Sequence, residues 1–141
     1  MRLKARGQMT IELMAMLPAA LVVALVAVNG ALFFSECAAF DRTFRSAVNT
    51  FAVSPAAGQG VSESCALIQG AVGALHASDH VDVSVSSSGI EGGVVTFTGT
   101  LAFHPTLFGA GPLTGAFGVS FPALSHRAEI SVAVYRPGVI I

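Results

Sequence analysis

The chain has no tryptophan, and charge is scarce: Asp, Glu, Lys and Arg together make 11% of 141 residues, against about a quarter in ordinary globular proteins. Three of the seven basic residues fall within residues 1–7. The rest of the chain therefore carries four basic against eight acidic side chains, a balance of −4. Nucleic-acid binding needs clustered Lys and Arg, so it is excluded as a function class. There are two cysteines, Cys37 and Cys65, in no Cys-x-x-Cys pair, which argues against zinc and thiol-redox chemistry. Gly58-Gln59-Gly60 and Gly109-Ala110-Gly111 lack the further glycines and the lysine of a phosphate loop. No Gly-x-Ser-x-Gly elbow is present. His76, Asp79, His80 and Asp82 fall within seven residues, but a metal would need about three convergent ligands with supporting partners. As polar residues closing a helix and opening a strand they need no ion. His104 and His126 stand alone, and an Arg127–Glu129 salt bridge is expected across one strand face. No catalytic residue, metal ligand or cofactor is assigned, and the chain is not expected to be an enzyme.

What the chain has instead is a long apolar run. Between Arg6 and Glu36 the one charged residue is Glu12, and Leu13–Phe34 is 22 residues of almost unbroken apolar character. As a helix this run is about 33 Å long, which matches a hydrocarbon core of about 30 Å. It exceeds a secretory h-region, and no Ala-x-Ala-type site follows it. Arg2, Lys4 and Arg6 precede it, so the positive-inside rule places residues 1–7 in the cytoplasm and the chain from about Ser35 outside. A carboxylate beside such a run is costly. Glu12 either sits at the interface near the positive helix end or awaits a cation.

The helix is expected to span 8–52, with its membrane part at 13–34. Phe33, Phe40, Phe44, Val48 and Phe51 recur at helical spacing; the stripe from Phe40 on must pack on something, and the protein's own globular part is the expected partner. Pro18 interrupts the ladder, so a kink or local melting is expected there; Asn29-Gly30 is a second weak point. Ser54-Pro55 ends the helix. Residues 53–141 form one small extracytoplasmic α+β domain. It opens with a linker and a short helix from Glu63 to Ala77, with Ser62 as N-cap and Ala66, Leu67, Ala71 and Leu75 at a 3.6 period. Val81, Val83 and Val85 alternate with polar residues, as do Val95, Phe97, Gly99, Leu101 and Phe103. These are two antiparallel strands, joined by a turn at 87–93. Pro105–Gly115 is a Gly-rich apolar loop, which serves either as core or as a contact patch. A short strand at 116–120 and a last strand at 130–135, closed by Pro137-Gly138, complete an α+β fold. One long helix carries a small antiparallel sheet on its outer half. Cys37 and Cys65 both lie on the outer side, where disulfides persist. A bond between them would close 29 residues, worth about 3–4 kcal/mol in the loop-entropy model; the alternative is two buried thiols.

Arg6-Gly7-Gln8-Met9-Thr10-Ile11-Glu12-Leu13, with Leu17-Pro18 after it, resembles the processing signal of type IV pilin-like proteins. Among these it resembles in particular the TadE-like pseudopilins of tight-adherence (Tad/Flp) pili. The likeness is specific over about residues 6–20. Leu124–Glu129 and Tyr135–Gly138 resemble later segments of some of these proteins. The resemblance implies that a prepilin peptidase cuts between Gly7 and Gln8. It also implies that Glu12, the fifth mature residue, acts in assembly. The implied partners are other pilins and pseudopilins, an inner-membrane assembly platform and membrane lipid. Two other readings remain: an uncleaved single-pass surface protein that binds a partner, and a membrane-tethered enzyme.

Overall fold

The computed structural model describes residues 3–116 and 118–134. Helix α1 spans Leu3–Val48 and runs on as a π-helical turn, Asn49–Val53; α2 is Val61–Leu75. The strands are β1 (Val81–Ser87), β2 (Val94–Phe103), β3 (Gly115–Ala116), β4 (Val119–Ser120) and β5 (Leu124–Ala133). β1, β2 and β5 form an antiparallel sheet with β2 central, and β3–β4 is a small hairpin beside it. The fold is α+β, as the sequence pattern indicates: a long N-terminal helix, a short helix and a three-stranded antiparallel sheet.

The core lies where the outer half of α1 meets the sheet. Phe40, Phe44, Ala47 and Val48 are buried against Val95, Phe97, Leu101 and Phe103 of β2, with Ile68 and Val72 of α2 closing the cluster. The aromatic stripe therefore packs on the chain's own globular part. The inward set of β2 is every second residue from Val95 to Phe103, as strand geometry requires. Gly99 falls in this set for a steric reason. A Cβ there would lie 2.8 Å from Phe40 Cζ and 3.0 Å from two Phe44 ring carbons.

Several expectations need correction. α1 begins at Leu3 rather than residue 8, since Leu3, Lys4, Ala5 and Arg6 are good helix formers. It stays helical through Pro18, so of the kink or local melting expected there the melting is absent. α2 starts two residues early: Gly60 is its N-cap, and the Glu63 carboxylate accepts the Gly60 N–H at 3.2 Å. The period expected of α2 holds but its phase does not. Ser64, Ile68 and Val72 face inward, while Leu67 and Leu75 are exposed. β5 begins at Leu124, six residues before the expected Ile130, because its inward positions there are His126 and Ala128 rather than large apolar residues. The expected Arg127–Glu129 pair forms at 2.7 Å. Pro137-Gly138, the expected end of the last strand, lies outside the described residues, as does Tyr135–Gly138 of the second likeness.

The Cys37–Cys65 disulfide is not formed; both thiols are free. Helices α1 and α2 run antiparallel. His76, just past α2, contacts Glu36 and Thr43, whereas Gln59, just before it, bonds the Phe51 carbonyl. Cys37 thus lies level with the end of α2. Cys65 is 11 residues earlier, about 16 Å along the axis, and a disulfide tolerates at most about 7 Å between Cα atoms. The Cys65 thiol points instead to the Val85 carbonyl, at 3.7 Å.

Candidate assembly surface on the N-terminal helix

Among the described residues, the inner part of α1 is exposed along most of its length. Met9, Ile11, Leu13, Met14, Met16, Val23 and Val26 are each about two-thirds exposed or more. The helix is long and apolar enough to cross a membrane once. Ala15, Ala19, Ala20, Ala24 and Ala27 lie along this exposed length; small residues of this kind let neighbouring helices approach closely. Pro18 is exposed midway along it.

Glu12 projects from this surface, exposed and without an ion pair among the described residues. Gly7 is helical, and a Cβ on it would meet nothing within 4 Å. A helical glycine costs about 1 kcal/mol relative to alanine, and no packing among the described residues accounts for it. Gln8 beside it is exposed.

The outer limit of the free helix is set by Asn29, a residue whose role the sequence pattern did not reveal. It is buried, and its side chain grips the backbone of Thr106. Nδ2 donates to the Thr106 carbonyl at 2.8 Å, and Oδ1 accepts the Thr106 N–H at 2.7 Å. Nδ2 also reaches Leu25 O. Asn29 is therefore a clamp rather than a weak point. The available signal was its isolation: it is the one polar side chain in the run Leu13–Phe34, and a lone amide in apolar surroundings needs partners. Because the globular part reaches Asn29, the uncovered apolar length is Met9–Val28 rather than 13–34. Those 20 residues measure about 30 Å, still one hydrocarbon thickness. Glu12 is 17 residues from Asn29, about 26 Å, and so falls close to the inner end of such a stretch.

Further out, polar groups of α1 fasten the other elements. Glu36 Oε2 is 3.2 Å from His76 Nδ1, and Thr43 Oγ1 is 3.0 Å from His76 Nε2. Asp41 Oδ1 is 2.8 Å from His126 Nε2 on β5. The His76–Asp82 cluster of the sequence is dispersed by the fold. His76 is committed to α1, His80 lies edge-on to Phe103, and Asp82 faces His104 at 3.1 Å. A shallow depression joins His76, Asp79 and Asp82; no group of three metal-ligating side chains forms among the described residues. Burial pushes the Cys37 thiol above its ordinary range, and the carboxylates of Asp41 and Glu36 add to this.

No family model matches the chain, and neither a curated protein nor a solved structure matches it.

Proposed function

We propose that this protein is a minor pseudopilin of a Tad-like type IV pilus system, cut after Gly7 and acting as a structural and interaction protein in pilus assembly or adhesion. The observation that carries the reading is Glu12. It is the single charge on an otherwise uncharged, fully exposed helical surface, five residues after a glycine that packing does not require.

On this reading α1 crosses the cytoplasmic membrane with residues 1–7 inside, and the α+β domain lies outside. A prepilin peptidase removes the leader, and an assembly platform draws the helix toward a filament. There it lies beside the helices of other pilins and pseudopilins along its alanine-bearing face. Glu12 then pairs with the freed amine of residue 8 on a neighbour. A buried carboxylate stripped of its cation costs about 3–5 kcal/mol, so the pair sets the register between helices. About 26 Å below Asn29, Glu12 lies near the inner edge of a core of about 30 Å, so its need for a partner arises from burial among helices in the filament rather than from depth in the membrane. Cyclisation of the new N-terminal Gln8 would remove the amine charge and with it the pair.

The test is Glu12→Ala beside Glu12→Gln in the producing cell. Both variants are expected to be made and cut normally, and to form fewer pili. Unchanged piliation in both would overturn the assigned role of Glu12.

A further inference from the structure

We propose that the loop after β2, led by Leu107 and Phe108, inserts into the outer-leaflet interface of the membrane that α1 crosses. The inference rests on α1 being a membrane span.

The path of β2 along α1 carries the argument. Gly99 abuts Phe40 and Phe44, the Phe103 ring lies 5.9 Å from that of Phe33, and Thr106 is clamped by Asn29. Each step along β2 moves toward the inner end of the helix. The loop is therefore the tip of the domain nearest the uncovered apolar stretch, and Asn29 fixes it at that depth. The chain carries no Asp, Glu, Lys or Arg between Glu91 and Arg127, so the loop itself is uncharged; the nearest carboxylate at this end of the sheet is Asp82 on β1, paired with His104 at the base of the loop. Leu107 and Phe108 are about half exposed there, and Phe121 and Leu124 are partly so.

Two features suit the loop to lipid rather than water. Part of its backbone is bonded internally: Gly109 N–H donates to Thr106 Oγ1, Ala110 N–H to Leu107 O, and Leu113 N–H to Pro105 O. Such bonding lowers the cost of bringing backbone toward an apolar medium, and an interfacial depth leaves water for the remaining groups. Phe108 also holds φ at 50°, a region costly for a bulky side chain, where water-exposed turns place Gly or Asn. Strain of this kind persists where a side chain's position matters. The opposite end of the sheet is the polar turn Ser87–Gly93, with Glu91.

The absence of native tryptophan permits a direct test. The full chain, carrying Phe108→Trp, is reconstituted in phosphatidylcholine vesicles that contain lipid brominated either near the headgroup or deep in the acyl chain. Val22→Trp, on the exposed helix, and Ile90→Trp, at the far turn, are the references. Insertion requires blue-shifted Phe108→Trp emission, quenched more by the shallow bromine than by the deep one, with Ile90→Trp unquenched. Water-like, unquenched emission from Phe108→Trp while Val22→Trp is quenched overturns the insertion and leaves the span intact. A blue shift that bromolipid does not quench, and that lipid dilution abolishes, identifies a second copy as the cover and also overturns it. An unquenched Val22→Trp would remove the span and the insertion together.

Discussion

Gly99→Ala probes the joint between the helix and the sheet. The added methyl would sit 2.8 Å from Phe40 Cζ and 3.0 Å from Phe44 Cδ2 and Cε2, where carbon atoms prefer about 3.5–4.0 Å. The helix and β2 must therefore part by about 0.5–1 Å. The rings have little freedom to yield. Both are fully buried, they stack at 5.6 Å, and Phe40 is held edge-on by His76 and His126. Overpacking of this kind costs about 1–3 kcal/mol. Removing a glycine from a strand returns about 0.5–1 kcal/mol. Taking the middle of both ranges, the net loss is about 1.3 kcal/mol, or roughly 5–10 °C in midpoint for a domain of this size. The assay is thermal unfolding in detergent micelles, read by pulse alkylation of buried Cys37. Phe44→Leu makes room for the methyl, so the double variant should lose less than the sum of the single ones. A Gly99→Ala protein as stable as the parent, or strict additivity with Phe44→Leu, would refute the close-approach account.

Asn29→Ala strands the Thr106 N–H and carbonyl in a buried position, at about 1–3 kcal/mol for each group. Hydrogen exchange at Thr106 should accelerate, and unchanged protection would remove the clamp. Alkylation of the unfolded protein without reductant should add two labels, whereas none would reveal the disulfide that the helix geometry forbids. Cys37 has a raised thiol pKa, from burial first and then from Asp41 and Glu36. Its protonated form therefore contributes stability that is fully present below the unfolded value, about 8.5, and is lost as pH rises through the folded value. Native-state labelling of Cys37 should begin at higher pH than that of a small thiol; equal onset would contradict this.

The fold was legible wherever one period dominated. The spacing of Phe40, Phe44 and Val48 marked the buried face of α1. The alternation in β1 and β2 marked their inward residues, because those positions are apolar and most of their neighbours are Ser, Thr or Asp. β5 was half legible, since His126 faces inward to reach Asp41 and breaks the apolar alternation. The phase of α2 was hidden because apolar residues occupy two of its faces, and the sheet selects Ile68 and Val72 over Leu67 and Leu75. The thiols were misjudged because the antiparallel course of α2 depends on tertiary packing, not spacing. Gly7, Gln8 and Glu12 were legible as a pattern; the fold adds that all three lie in the exposed part of α1, and that no packing among the described residues explains Gly7. Asn29 was visible as an oddity, but Thr106 lies 77 residues away, beyond any local signal.

Intact mass of the protein, taken from its native membrane or from sheared pili, tests the pseudopilin reading most directly. That reading predicts loss of residues 1–7, with the mature chain beginning at Gln8; a further loss of ammonia would mean that Gln8 has cyclised, and the Glu12–amine pair would be abandoned. A mass that retains residues 1–7 would contradict processing and leave a signal-anchored membrane protein in place of a pseudopilin.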